Sequence, residues 1–286
     1  MQKIVVICGA TASGKSSFGM EYCLEHNGAI VSADSMQIYQ QLNIGTAKPT
    51  IEDRRLVQHY CVDMIHPSRS FSVAEWVRHA DNSIQDIIQQ NKIPVIVGGT
   101  GLYIRGLLYD HQYIKSDPIV LSQLQTELEQ YGVMHMYEKL SKLDKEFASI
   151  IHPNDTKKVI RALEIYQLTG QKKSSLKSVK PTKRYDYEMI TIELDRGKLY
   201  DRVDNRVDEM VKNGFVDEVK SLMKYKDCQS MQAIGYKQLA EYFGHNNHLK
   251  YSVNFVIDNI KQFTRNFAKR QLTYFRNFNR YVGEEV

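Results

Sequence analysis

The sequence is poor in cysteine and has no arrangement of it that does chemistry. Cys8, Cys23, Cys61 and Cys228 are scattered, with no CxxC pair among them. That spacing argues against a zinc site and against a disulfide framework, so the thiols are expected to be reduced and structural. Long apolar runs are also missing. None approaches the ~20 residues that span a bilayer. The run nearest the start, Ile4–Cys8, is too short for a signal segment and leads straight into glycine. A cytoplasmic protein with no membrane partner is therefore expected, and a monomer is the default. The sequence contains no internal repeat and no low-complexity tract. It also lacks a compact arginine-rich segment of the kind kinases close over a nucleotide.

Charge of one sign is not in large excess either. The net charge of +5 over 286 residues is mild, but its distribution is uneven. Lys172 to Arg184 holds six basic residues and no acid; Lys250 to Arg280 holds seven against the single Asp258. Aromatics interleave in the second stretch: Tyr251, Phe255, Phe263, Phe267, Tyr274, Phe275, Phe278 and Tyr281. Basic residues neutralise phosphates and aromatics stack on bases. Aromatics at helical spacing also face cores, so an amphipathic helix with wet lysines is the plainer reading.

What the chain does have is 42% hydrophobic residues, enough for a sizeable core, and a regular alternation of elements. Lys3–Cys8 reads as a buried strand, followed by a glycine-rich turn and a helix from about Lys15 to His26. Ala29–Ala33 is a second apolar run and Tyr60–Ile65 a third candidate strand. Ser72 caps a long helix, with Glu75 completing a capping box. Ile93–Val97 is another buried strand, ending at Gly98-Gly99-Thr100-Gly101. This alternation predicts an α/β fold: a P-loop NTPase-like parallel sheet flanked by helices. From Asp117 to Tyr185 the pattern is helical with almost no strand signal. Tyr187–Glu193 then restores a strand, and the rest is helical with Gly214, Gly235 and Gly244 as punctuation. The expected division is a core of residues 1–116 and 186–286, interrupted by an all-helical insert of residues 117–185. Such inserts commonly cover or contact a substrate.

Gly9-Ala10-Thr11-Ala12-Ser13-Gly14-Lys15-Ser16 fits G-x-x-x-x-G-K-[ST], placed after an apolar strand and before a helix, as a phosphate-binding loop requires. Glycines let backbone N–H groups turn inward around phosphate oxygens, and the helix N-terminus adds partial positive charge. Lys15 adds a full charge, and Ser16 is the candidate ligand for Mg²⁺. The loop reports a phosphate chain without saying which molecule bears it. A small-molecule kinase is the first candidate. It needs an apolar strand ending in a metal-associated Asp; Ile30–Asp34 could serve, whereas Ile93–Val97 ends in Gly98. Asp34-Ser35-Met36-Gln37 lies past a strand's C-terminal end, the edge where parallel sheets host active sites. Asp34 is expected near the loop, because the first strands of such sheets are commonly neighbours, and could act as a general base or as a metal's outer partner.

Taken with these, an ordered series of blocks resembles the tRNA dimethylallyltransferases (tRNA isopentenyltransferases). It runs through Gly9–Ser16, Asp34–Tyr39, Asn43–Pro49, His59 with Asp63, Phe71–Trp76 and Gly98–Tyr103. It continues with Asn154-Asp155, Arg161–Glu164, Thr169-Gly170, Arg202, Arg206, Met210, Gly214, Gly235-Tyr236 and Lys269–Phe275. There are departures. Ala10 stands where Pro is usual, Tyr274 where Trp is common, and Leu121 where an Arg facing the tRNA is expected. The last bears on one tRNA contact and not on the reaction. No zinc finger follows the last helix, which suits the shorter bacterial form.

The resemblance implies transfer of a dimethylallyl group from dimethylallyl diphosphate to N6 of adenosine-37, 3′ of the anticodon, with Mg²⁺ as cofactor. It implies Asp34 as the base on the amine, with Lys15, Arg206 and Thr100 acting at the leaving group or the bond being broken, and gives His59 a weaker claim. Residues 9–16 are implied to hold the diphosphate. Asp34, Ser35, Met36, Gln37 and Thr100 are implied to meet the flipped base, and Lys157, Lys158, Val159, Ile160 and Arg161 the tRNA. The basic stretches then serve RNA at least in part. An adenylate isopentenyltransferase taking free nucleotide would share the donor site, but the helical stretch and basic C-terminal part favour a macromolecular acceptor.

Overall fold

The protein is described from a computed structural model covering residues 3–110, 114–177, 182–244 and 251–279. Lys180, Lys250, Arg280 and Tyr281 of the basic stretches lie outside the described residues. Two compact units are present. One comprises Met1–Asp110 with Lys183–Val286, the other His111–Thr182. These bounds differ by a few residues from those read in the sequence.

The first unit begins with β1 (Ile4–Gly9), α1 (Lys15–Glu25), β2 (Gly28–Ser32), α2 (Ile51–Leu56) and β3 (His59–Tyr60). It continues with α3 (Val73–Gln89), β4 (Ile93–Gly98) and α4 (Gly101–Leu108). The helical unit holds α5 (Pro118–Leu143), α6 (Lys145–Ser149) and α7 (Thr156–Thr169). The chain then returns to the first unit for β5 (Tyr187–Ile192), α8 (Arg196–Lys212), α9 (Phe215–Ser221), α10 (Tyr236–Gly244) and α11 (Val253–Arg276). The five strands form one parallel sheet in the order β3-β2-β4-β1-β5.

All six residues of β1 are buried, so helices cover both faces at the sheet's centre. On one face Val5, Ile7, Val95 and Val97 pack with Cys23 of α1. Toward the other, α3 buries a helical stripe of Trp76, Val77, Ala80, Ile84 and Ile87. Its capping box forms as read: Ser72 Oγ accepts from the Glu75 N–H, and Glu75 accepts from the Ser72 N–H. The Trp76 indole donates to the Ser32 carbonyl at 3.1 Å and stacks on Tyr103, which pins the end of β2.

Two expectations are corrected. Strands β1 and β2 are not neighbours, because β4 lies between them. The third strand is only His59–Tyr60, not Tyr60–Ile65. Cys61 and Asp63 take left-handed backbone conformations (φ 60° and 55°), which ends the extended run. The Asp63 and Ile65 N–H groups instead donate to Gln37 and Ile38, behind the Asp34 turn.

Gly98 ends β4 against the end of β2. A Cβ there would stand 2.2 Å from the Ala33 carbonyl oxygen. Both parties are backbone, so nothing flexible can yield. Gly98→Ala is expected to destabilise the protein by about 1–3 kcal/mol. A denaturant midpoint equal to the parent's would refute that close approach.

In the helical unit, Asp117 caps α5 by accepting from the Ile119 and Val120 N–H groups, and the helix breaks at Gly132 (φ 80°). Leu124, Met136, Leu140, Phe147, Val159 and Leu163 form its core. No helix among the described residues is long and apolar enough to cross a membrane.

Candidate active site

The phosphate loop leaves β1 at the centre of the sheet. Gly14, left-handed at φ 95°, turns the chain into α1. The Ser13 N–H is taken by the Ala10 carbonyl at 3.2 Å. The Ser13 hydroxyl is buried with no hydrogen-bond partner among the described residues. Lys15 Nζ donates to the Ala10 carbonyl at 3.1 Å, and Ser16 is exposed at the start of α1.

Helix α8 brings two arginines, one turn apart, to this loop. Arg202 donates to the Ser13 carbonyl at 3.4 Å, and Arg206 donates to the Thr46 carbonyl at 3.5 Å. Burial lowers the Lys15 ammonium to about 8; the Arg206 charge adds to the lowering and Asp34 opposes it. Burial also lowers Arg206, again with Asp34 opposing. Cations gathered out of water repel one another, and a bound anion relieves that repulsion.

Asp34 follows β2. Its Oδ1 accepts from the Met36 N–H at 2.8 Å and more weakly from the Gln37 N–H at 3.4 Å. Thr100 faces it from the turn after β4: its backbone N–H donates to the Ala33 carbonyl, and its Oγ1 accepts from the Ser35 N–H, both at 3.1 Å. The Gln37 amide is engaged within the chain. It accepts from Ser32 Oγ and donates to the Thr46 and Ala47 carbonyls. His59 Nδ1 bonds the Val57 carbonyl oxygen at 2.7 Å, and burial lowers its pKa, which favours the neutral ring.

One cavity of about 750 Å³ collects these groups. Thr11, Lys15, Ser16, Asp34, Ser35, Met36, Gln37, His59, Thr100 and Arg206 all line it. Met20, Leu24, Leu56, Met210, Phe215 and Phe267 supply apolar wall. A smaller cavity of about 390 Å³ shares Lys15, Ser16 and Arg206 and adds Ala12, Gly14 and Arg202. Gly9 and Ala10 are buried, and the Ala10 methyl packs with Leu199, Val203 and Ala268.

The helical unit's candidates divide. Lys157 and Lys158 are exposed on α7, with Lys158 paired to Asp155 at 2.6 Å. The side chains of Val159 and Ile160 belong to that unit's core at 0% and 6% exposure, so neither is presented to a partner. Arg161 is committed to the buried Glu164 and to the Ile114 carbonyl. Leu121 is an outward-facing apolar residue on α5. The basic stretch on α11 is also partly committed. Lys261 pairs with Asp208, Arg265 with Asp204 and Arg276 with Glu193, while Lys269 and Arg270 are exposed.

Several contributors had no role assigned from sequence. Glu218 accepts from the Asn43, Ile44 and Gly45 N–H groups and from the Tyr236 hydroxyl, holding the loop whose Thr46 carbonyl anchors both Arg206 and Gln37. Lys48, almost fully buried, donates to the Tyr39 carbonyl, Asn43 and Asp63 and locks the same loop. Gln271 reaches the phosphate loop from α11.

A family model described as IPP transferase matches residues 37–278, and one described as isopentenyl transferase matches residues 2–63. The tRNA dimethylallyltransferase of Thermoanaerobacter sp. (strain X514) is 42% identical over 286 residues, covering 97% of this chain and 90% of that one. The crystal structure of the full-length tRNA isopentenylpyrophosphate transferase from Bacillus halodurans is similar at a TM-score of 0.70 and 40% identity, covering 97% of this chain and 88% of that one. A eukaryotic dimethylallyltransferase, seen in crystallographic snapshots acting on tRNA, reaches a TM-score of 0.84 at 28% identity, with 100% of this chain and 73% of that one covered. With an anion cradle, a facing carboxylate and likeness along almost its whole length, the chain belongs to the tRNA dimethylallyltransferase family.

Proposed function

We propose that the chain transfers a dimethylallyl group from dimethylallyl diphosphate to N6 of adenosine-37 in tRNA. The observation that carries this reading is that Thr11, Lys15 and Ser16 of the phosphate loop and its helix line one cavity together with Arg206, Asp34 and Thr100. The cationic side suits a diphosphate. The apolar wall suits a short hydrocarbon better than a nucleotide's sugar and base.

The chemistry follows from those groups. The exocyclic amine of adenine is a weak nucleophile, because its lone pair is delocalised into the ring. Asp34 takes the N6 proton as the new N–C bond forms at the allylic carbon. The allylic C–O bond breaks, and its electron pair leaves with the diphosphate. Loop N–H groups, Lys15 and Arg206 stabilise the charge that develops there. Thr100 stands beside the bond being exchanged. The target base must leave the anticodon stack to enter the cavity. Residues 34–37 then line its path, with Gln37 acting mainly through the turn it holds. Lys157 and Lys158, with Lys269 and Arg270, are the exposed cations suited to the RNA backbone.

Among the described residues no group of three or more His, Cys, Asp or Glu side chains could hold a metal. The residues present fit a cation bound chiefly by phosphate oxygens and water, with Ser16 as the protein ligand and Asp34 lining the same cavity. Mg²⁺ held there would supply further neutralisation of the leaving diphosphate.

Mass analysis of tRNA nucleosides after incubation with the protein, dimethylallyl diphosphate and Mg²⁺ tests the reading. N6-dimethylallyladenosine is expected at the position 3′ of the anticodon. Modification of free AMP with tRNA left untouched would instead make the chain an adenylate isopentenyltransferase. Turnover of ATP without prenyl donor would return it to the kinases.

A further inference from the structure

Helix α11 carries two residues, one turn apart, that hold the backbone on either side of Thr100. Gln271 Nε2 donates to the Gly99 carbonyl at 2.9 Å, and the Tyr274 hydroxyl donates to the Gly101 carbonyl at 3.1 Å. The same Gln271 amide accepts the Thr11 N–H at Oε1, at 2.8 Å. Only 7% of Gln271 is exposed. The fit is close: a Cβ on Gly99 would stand 2.3 Å from Gln271 Nε2, and one on Gly101 would stand 2.1 Å from the Tyr274 ring. One buried side chain thus spans from the phosphate loop after β1 to the Thr100 turn after β4. A carboxamide suits this task because it offers a donor and an acceptor without charge. Asn would be one methylene too short.

We propose that Gln271 is a positioning residue for prenyl transfer, fixing the distance between the diphosphate cradle and the Thr100–Asp34 side of the cavity. The assignment rests on the reaction proposed above. Each side retains its own support without Gln271. The loop keeps Lys15 and its other N–H groups, and Thr100 keeps its bonds to Ser35 and Ala33 and the hold of Tyr274 on Gly101. Removing the brace therefore spares binding and disturbs the alignment of allylic carbon and amine, where small displacements slow reaction strongly.

Gln271→Leu is expected to lower kcat about 10- to 100-fold, while the Kd for dimethylallyl diphosphate and the KM for tRNA stay within about threefold of the parent. Gln271→Glu separates positioning from packing. Its carboxylate can accept from Thr11 but cannot donate to Gly99, whereas the protonated acid can do both. Its activity relative to Gln271→Leu is therefore expected to rise as pH falls. Lys15, Glu21, Asp34, Asp53, His59, Arg206 and Arg270 share the cavity and are present in both variants, so the ratio removes their contribution to first order. Equal turnover by Gln271→Leu and an active parent overturns the assignment alone. So does a loss matched by falls in donor affinity and melting temperature, or a Gln271→Glu ratio flat with pH. Failure of the unaltered protein to transfer overturns the reaction, and the assignment with it.

Discussion

Asp34→Asn is expected to bind dimethylallyl diphosphate and tRNA almost as the parent does and to transfer the prenyl group about 10²- to 10⁴-fold more slowly. The substitution is chosen for what it preserves. Asp34 Oδ1 holds the following turn by accepting from the Met36 N–H, and an amide oxygen can do the same. Ser35 stays bonded to Thr100, and Gln37 to Thr46. The lost capacity is proton acceptance. The attacking nitrogen would then carry its proton into the product-like state, with no carboxylate at the end of β2 to take it. Pre-steady-state transfer with saturating substrates reads the chemical step directly. A variant with more than a tenth of the parent's rate would show that the N6 proton leaves by another route. It would confine Asp34 to holding its turn and moderating the Lys15 and Arg206 charges.

How far this site can be read without coordinates depends on how local each part is. The phosphate loop is contiguous, and its strand and helix are its immediate neighbours, so its geometry follows from Gly9–Ser16 alone. The Asp34 turn follows a strand whose β-branched run is equally local. That β4 comes between β1 and β2 is a property of sheet order, and no periodicity within a strand encodes it. The short third strand fails for a related reason. Tyr60–Ile65 has strand-like composition, but left-handed Cys61 and Asp63 divert it to pair with the chain behind Asp34. Gln271 is the hardest case. Its partners are Thr11 and Gly99, far away in the chain, and in sequence it is one polar residue in an amphipathic helix. The available signal was its place three residues before Tyr274 on a face that is otherwise apolar, where a buried amide requires partners. Glu218 is similar: on the surface side of a short helix it reads as a solvated charge, until the Asn43–Gly45 amides are found around it. In the helical unit, the family resemblance implies that the segment around Arg161 faces RNA. Helical geometry turns Val159 and Ile160 inward, and Arg161 is used to neutralise Glu164.

Lys15→Met is expected to raise the melting temperature of the ligand-free protein at neutral pH while weakening diphosphate binding about 10²-fold or more. Burial and the Arg206 charge bring the Lys15 ammonium down from 10.5 to about 8. The folded protein therefore holds that proton less tightly than the unfolded chain does. Below about 8 the charged lysine costs stability in full, about 3 kcal/mol. The cost is relieved as pH rises from about 8 toward 10.5, because the folded state then sheds a proton the unfolded state keeps. The parent should gain stability across that window relative to Lys15→Met, and the two melting curves should converge. Binding has the opposite sign. The ammonium is what the diphosphate recognises, so affinity for dimethylallyl diphosphate should be level up to about 8. It should then weaken about tenfold per pH unit for as long as the complex holds the proton that the free protein has lost. The variant has no such proton, and its weak binding should not follow this profile. Thermal melts and calorimetric titrations of both proteins across this range read the two signs independently. A Lys15→Met protein less stable than the parent at neutral pH, or parent affinity level through pH 10, would mean that Lys15 is solvated rather than held against Arg206 in wait for an anion. The instability is thus the form in which the cradle stores its preference for a diphosphate, the leaving group on which Asp34-assisted attack depends.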